Sequence, residues 1–527
     1  MILTIETQII LLEIVQIQIT TPTQHQEDLQ QLLLEAAEIL QILAEVQQLV
    51  EEEEEIKSSL LVTKDFNMKK IIASAILLAT VSATSAQSLG YQDLGILFSQ
   101  NDNNGTARFT AMGGAFGALG GDISSININP AGLSVFNNSM FSGSFNSRSS
   151  DIMADYYGNR LTTQDQFINL SQAGGVLVFD SAYGSNWSKF AMGFNYRITK
   201  DFTDGFIAQG NSGVVTFDNF PLDTNPNPIV YDIADEQIFN NTYNGDLSEF
   251  NIGFSSVYQE KLHVGVSLNF YDLNFTQRSN LTEFNSDING NELDANLYQE
   301  NFTTGTGFSF NTGFIYKVNN SFRFGLSYQT PTWFSEILED SNIVNNDGYF
   351  GDTEIAVSND NVVYDNTAGG FFPSQSLIYR LKTPSRLTAS TAFVFGKMGL
   401  ISIDYSNMNY TRTKLSGANF MQENQAFQND FVNTHNFSIG TEWRFDKLSI
   451  RGGYRFEQSP DAFALNSDDL NEYSFGAGYN FGNFKLDFAY RTNNRTAAYN
   501  FYSGFNVNPA NLTLDNRIFT ASVSINL

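Results

Sequence analysis

The chain has 527 residues and no cysteine; 16% of its residues are charged, and the formal net charge is −28. Without thiols it has no disulfides, thiolate metal sites, cysteine nucleophile or lipid-anchored N-terminal cysteine. The acidity argues against nucleic acid, whose phosphates need a basic surface. No apolar run reaches the roughly 18 residues of a spanning helix.

Residues 1–67 open with a β-prone stretch, Ile2 to Ile19. Leu29, Leu32, Ala36, Ile39, Leu43, Val46 and Val50 follow at heptad spacing, and Glu51–Glu55 close the leader. Two readings stand side by side: a short coiled-coil or surface helix, or a spurious leader ahead of a true start at Met68. The second follows from residues 68–86. Met68-Lys69-Lys70, the apolar stretch Ile71–Val81 and the small residues up to Ala86 have the three parts of a secretory signal. Cleavage is expected between Ala86 and Gln87.

Residues 87–133 are rich in glycine, at Gly105, Gly113, Gly114, Gly117, Gly120 and Gly121, and end in Asn129-Pro130-Ala131-Gly132-Leu133. Glycine at this density lets backbone pack in a confined space, and Pro130 stiffens the chain. This segment is expected to fold into a lumen as a plug, or hatch. Gly113–Gly121 is not a phosphate loop, because no strand precedes it and no Gly-Lys-Ser/Thr follows.

Residues 134–527 carry about fourteen runs in which apolar and polar residues alternate, the rhythm of strands with lipid on one face and lumen on the other. Phe437, Ile439, Trp443 and Phe445 oppose Asn436, Ser438, Glu442 and Arg444. Leu448, Ile450, Tyr454 and Phe456 oppose Ser449, Arg451, Gly453 and Arg455. Phe484, Leu486, Phe488 and Tyr490 oppose Lys485, Asp487, Ala489 and Arg491. Short turns near Tyr183–Asn186, Gln259–Glu260, Asn319–Asn320, Gly396–Lys397, Asp446–Lys447 and Gly482–Asn483 alternate with longer connections. The longer ones lie near Asn146–Ser171, Lys200–Leu247, Gln277–Glu300, Phe334–Ser376, Lys414–Thr434, Gln458–Asp469 and Thr492–Asn516. The expected fold is an all-β membrane protein, a 14-stranded antiparallel transmembrane β-barrel with an N-terminal hatch. Its chain ends lie on the short-turn, periplasmic side. A soluble sandwich would instead bury the aromatic rows between two sheets.

Ala107-Arg108, Ala111-Met112-Gly113-Gly114-Ala115-Phe116, Asp122 and Asn129-Pro130-Ala131-Gly132-Leu133 resemble the N-terminal hatch of FadL-type outer-membrane transporters of long-chain fatty acids and other hydrophobic compounds. The resemblance continues more loosely through Gln172–Val176 and Gly325–Pro331, and does not touch residues 1–67. The final residue, Leu527, departs from the terminal aromatic common in such barrels. The resemblance implies capture of an amphipathic ligand by outer loops, transfer to an apolar lumen pocket, and sideways release through the wall. It places Asn129, Pro130, Ala131, Gly113, Gly114 and Asp122 in the hatch, either gating or anchoring the plug.

The expected function is passive transport of hydrophobic molecules in the outer membrane of a Gram-negative bacterium. The chain is expected to act as a monomer in contact with outer-membrane lipid, with no cofactor, metal or nucleic acid. A surface adhesin or secretion-system subunit on the same scaffold is the alternative, and a water-filled porin a third. Loop aromatics Phe202, Phe206, Phe217, Phe220, Trp333, Phe334, Phe371 and Phe372 are expected to be exposed and are candidates for ligand capture. Asn285, Asp287, Asn289 and Gly290 match half of a calcium loop, but Asn296 stands where a bidentate Glu belongs. His25, His263 and His435 lie far apart, and neither His263 nor His435 shows a nearby nucleophile pattern, so no catalytic grouping is expected. His263 is expected at an interface.

Overall fold

The computed structural model describes residues 89–180, 186–342, 352–367, 375–502 and 505–527. The leader, the signal segment, Phe371 and Phe372 lie outside the described residues. Two short helices come first, α1 (Tyr91–Leu97) and α2 (Ala107–Ala111), then 3-10 turns at Ile123–Asn127 and Pro130–Val135. The strands follow: β1 (Met140–Tyr156), β2 (Asn159–Asp180), β3 (Trp187–Asp201), β4 (Asp204–Gly210), β5 (Ile233–Tyr258), β6 (Leu262–Ser286) and β7 (Glu292–Lys317). Next are β8 (Phe322–Gln329), β9 (Trp333–Ser341), β10 (Asp352–Val357), β11 (Tyr364–Asp365), β12 (Gln375–Lys382), β13 (Arg386–Phe395), β14 (Gly399–Asn409) and β15 (Lys414–Ser416). A third helix, α3 (Met421–Asn429), precedes β16 (Asn433–Phe445), β17 (Leu448–Glu457), β18 (Leu470–Asn480), β19 (Phe484–Tyr499) and β20 (Ala510–Asn526).

Neighbouring strands pair antiparallel around the ring. β3 and β4 both pair with β5, while β8, β9 and β10 lie in file along β7. β13 and β12 lie in file against β8 and β9. Counted this way the wall is a closed 14-strand barrel. The last strand meets the first, from Met140↔Asn526 to Asp155↔Asn511. Closure joins the first and last strands, so neither end of the sheet offers an edge to another chain.

The barrel is inside out relative to a soluble protein. On β6 the buried residues include Ser267, Asn269 and Gln277, while Val266, Leu268 and Phe270 are exposed. On β16 Phe437, Ile439 and Trp443 are exposed, and Glu442 is only 1% exposed. The aromatic rows read from the sequence face outward, and their polar partners face in. A sandwich would bury those rings; lipid is the solvent that accepts them.

The short turns fall as expected at Gln259–Glu260 and Asp446–Lys447, where Gln259, Glu260 and Asp446 have positive φ. Several long connections are not loops. Asn146–Ser171 belongs to a hairpin, β1–β2, with register continuous to Tyr156↔Asn159 across a turn at Tyr157-Gly158. Gln277–Glu300 is likewise ladder, from Gln277↔Asn301 to Ser286↔Glu292. At the wall end of the first hairpin Phe145, Ile168 and Leu170 are still exposed to lipid; further out the strands continue beyond the apolar band. There both faces meet polar surroundings, so the alternation fades while the hydrogen bonding does not.

Candidate functional site

The segment from Leu89 to Phe136 lies inside the ring and is held there by backbone contact. Side chains on the inner face would keep two backbones apart, so the wall carries glycine at the points of approach. A Cβ at Gly265 of β6 would stand 2.4 Å from Ala131 N, and one at Gly313 of β7 would stand 2.4 Å from Asn129 Oδ1. At Gly440 and Gly453 on the opposite wall a Cβ would meet Met112 O and Gly113 N, each at 2.4 Å. Gly113 and Gly114 have φ of +60° and +74°, conformations that disfavour a side chain.

The Asn-Pro-Ala turn is a cap. Asn129 Oδ1 accepts from Ala131 N at 3.1 Å, and Pro130 occupies the first helical position, where its missing N–H costs nothing. Asn129 Nδ2 donates to Gly117 O at 2.8 Å and to Phe314 O of β7 at 2.9 Å. One side chain thus ties the turn to the glycine-rich loop and to the wall. Asp122 caps the preceding turn, accepting from Ser124 N at 3.0 Å and from Thr106 Oγ1 at 2.8 Å. Burial holds its carboxyl above the ordinary range, against the opposing pull of Arg108.

Charged groups bolt the segment to the wall. Arg108 Nε donates to Glu442 Oε2 at 2.7 Å, and Arg451 Nε reaches the same oxygen at 2.7 Å. Arg451 also bonds Asp487 at 2.6 Å. Asn103 and Arg491 share Glu472, and Arg491 Nη2 donates to Asn104 Oδ1 at 2.6 Å. These carboxylates and guanidiniums are nearly dehydrated, so each needs its partner.

Between this segment and the wall lies a cavity of about 1090 Å³. Ile96, Phe202, Phe206, Phe275, Met408 and Tyr499 give it apolar lining. Arg148, Arg197, Arg386 and Glu472 give it polar lining. The pocket is therefore amphipathic, not uniformly apolar as expected. α1 lines it too; its Asp93 carboxyl is pushed up to about 6, chiefly by burial.

The wall beside the cavity is incomplete. The β2–β3 ladder runs from Asp180↔Lys189 to Gln172↔Arg197 and stops. Residues 159–170 of β2 pair with β1 alone. The cause lies in β3, whose register against β5 slips between Ile198 and Lys200. That bulge turns backbone toward the lumen: Thr199 O accepts from Asp102 N at 2.7 Å, and Ile198 O accepts from Asn104 Nδ2 at 3.0 Å. The chain continues inward as β4, where a Cβ at Gly210 would stand 2.6 Å from Tyr156 O.

The loop aromatics do not sit as expected. Phe202, Phe206, Phe217 and Phe220 are buried, packed in two clusters within and above the lumen. They lie on chain that folds back over the mouth and pack there rather than meeting solvent, and Phe202 and Phe206 also line the cavity. Phe334 is buried against Tyr271, whereas Trp333 is 42% exposed on the outer wall beside Phe308. Adjacent residues on a strand take opposite faces, so these two share no site.

His263 is buried rather than interfacial, with Nδ1 2.8 Å from Ser134 Oγ. Ser255 Oγ donates to Ser134 Oγ at 2.8 Å. Nothing in the order of the chain signals this pairing, because its members lie 129 residues apart. Asp287 is saturated by Asn289 and Asn291, and Asn296 is engaged by Thr282. The half calcium loop is a hydrogen-bonded turn.

A closed outer-membrane-type barrel, filled by its own N-terminal segment and enclosing an amphipathic cavity, is a transport scaffold. The chain belongs to the outer membrane protein transport protein family (OMPP1/FadL/TodX), whose model matches residues 82–499. Members of this family are transporters, not enzymes. Among solved structures, a Pseudomonas aeruginosa FadL homologue is similar at 14% identity and TM-score 0.51, over 81% of this chain and 99% of that one. The Pseudomonas putida toluene transporter TodX is 15% identical, with TM-score 0.47, over 81% of this chain and 100% of that one. No curated protein matches in sequence.

Proposed function

We propose that this chain carries hydrophobic molecules of the long-chain fatty acid type passively across the outer membrane. They pass through the lumen cavity and leave sideways into the bilayer. The observation that carries the reading is the coincidence of cavity and wall gap. Phe167 and Asn169 of the β2 stretch that β3 leaves unpaired, Lys200 and Asp201 beside the bulge of β3, and Phe202 just after it all line the cavity. Ile168 and Leu170 of the same stretch are exposed on the outer face, so a molecule beside Asn169 has a short path to lipid.

The driving force is differential solvation. An apolar tail leaves water for Phe202, Phe206 and Phe275, then leaves them for acyl chains. No nucleotide or metal enters this scheme. The Asn-Pro-Ala turn, Gly113, Gly114 and Asp122 hold the hatch, which bars the straight route, so sideways release is the remaining one. Trp333, on the outer wall, has no part in it, and Phe334 acts through lumen packing. The chain works as a single copy, with both ends periplasmic and outer-membrane lipid as the receiving phase.

The test is uptake of radiolabelled oleate and toluene by cells with and without the chain, before and after energy depletion. Faster uptake that survives depletion is expected. Equal uptake by both cell types would overturn the reading.

A further inference from the structure

The wall gap is bridged by charge. Among the described residues, one side-chain hydrogen bond runs from the unpaired stretch of β2 to β3: Asn169 Nδ2 donates to Asp201 Oδ2 at 2.8 Å. Behind it stands Arg148 of β1. Its guanidinium reaches Asp204 at 2.7 Å and Asp201 at 3.9 Å, bonds Asn516 of β20 at 3.1 Å, and lies 5.3 Å from the centre of the Phe167 ring. Ser150 Oγ also donates to Asp204, at 3.0 Å. Asp201 is fixed from the lumen side as well: its N–H donates to Asp102 Oδ2 at 3.2 Å, and Lys200 Nζ donates to Asp102 Oδ1 at 2.9 Å.

We propose that Asn169, Asp201 and Arg148 form a polar latch that holds the side opening shut, and that Asp102 of the N-terminal segment sets its position. The proposal rests on the sideways-release reading above. The side chains of Arg148, Asp201 and Asp204 are 13%, 10% and 13% exposed. A hydrogen bond to a carboxylate so poorly hydrated is stronger than one in water. A molecule moving from cavity to lipid beside the end of the β2–β3 ladder, where Ile168 and Leu170 face outward, must part Asn169 from Asp201. The latch therefore sets how fast the ligand leaves. Asp102 makes it a device of two parts. The aspartate that takes the Lys200 ammonium also holds the Asp201 backbone and, through its own N–H, the Thr199 bulge, so any shift of the N-terminal segment moves one side of the gap.

The chain has no cysteine, so an engineered pair gives a clean test in the full chain, reconstituted in lipid vesicles. Asn169→Ala removes the cross-gap bond and leaves Arg148 on Asp201 and Asp204. It is expected to release radiolabelled oleate about tenfold faster, the size of a lost hydrogen bond to a charged group, with ion conductance unchanged. Asn169→Cys with Asp201→Cys, joined by a reducible thiol crosslinker, is expected to stop release until the bridge is cut. An unchanged or slower rate in Asn169→Ala, a rise in ion conductance, or release through the bridged pair would overturn the latch. If the unaltered chain neither binds nor releases oleate, the transport reading falls. If it does both and the variants behave like it, the transport reading stands and the latch alone falls.

Discussion

Arg108 and Glu442 meet at 2.7 Å across 334 residues of chain, one on the N-terminal segment and the other on the inner face of β16. Glu442 also takes Arg451 and Arg444. The two ends of the Arg108–Glu442 contact are therefore unequal. Arg108→Ala leaves the carboxylate with two cations. Glu442→Ala leaves Arg108 and Arg451 without it in a dehydrated wall, and losing one partner of a buried pair costs about 3–5 kcal/mol. Glu442→Ala should lower the temperature at which the protein loses its compact, unboiled gel mobility, and by more than Arg108→Ala. Equal shifts would contradict the shared-anion geometry.

The glycines of the wall are not equivalent. Alanine at Gly265 would drive its Cβ into the backbone at Pro130-Ala131, whereas at Gly143 a Cβ meets nothing within 4 Å. Gly265→Ala should displace the Asn-Pro-Ala turn and raise ion conductance in planar bilayers severalfold. Gly143→Ala should conduct like the unaltered protein.

Asp93 of α1 makes the seating of that helix sensitive to acid. Its folded carboxyl titrates near 6, above the ordinary value of 3.8, chiefly because burial penalises the anion; a bond from Gly90 opposes this and Asp461 adds to it. A raised carboxyl favours the seated helix when protonated, and that advantage is lost as pH rises from about 4 through 6. Amide exchange in Tyr91–Leu97 should accelerate over this interval. Asp93→Asn should flatten the dependence. Asp102 has the opposite sign: burial works against its charge, but Lys200 and Arg148 hold its carboxyl below the ordinary range. Its contribution is lost only in stronger acid.

The mature N-terminus should be Gln87. N-terminal sequencing of the protein from outer membranes checks this, and finding Met1 there would refute the reading of residues 68–86 as a signal.

The wall was legible because lipid and lumen impose a two-residue period on every strand. The rows from Phe437 to Phe445, from Leu448 to Phe456 and from Phe484 to Tyr490 each reported their outer face without a partner strand being known. The close approach of the N-terminal segment to the wall was legible through its glycines and Asn-Pro-Ala. The strand extensions at Asn146–Ser171 and Gln277–Glu300 were not, because ladders in polar surroundings carry no such period. The loop aromatics misled for a related reason: a phenylalanine in a connection reads the same whether it meets solvent or folds back, as Phe206 does, onto Tyr499.

By itself, then, the sequence determined what each strand faces, the turns that join neighbours, and the glycine-rich segment that must sit where backbone is crowded. These are local properties, written in period and composition. Tertiary structure decided which distant groups share a place: Arg108 with Glu442, Ser134 with His263, Asn169 with Asp201. It also decided where the β2–β3 ladder fails, because that follows from a bulge at Thr199 and the Asp102 amide that fills it. Such contacts depend on the closure of the ring, which brings residues hundreds of positions apart within hydrogen-bond distance and leaves no trace in the order of the chain.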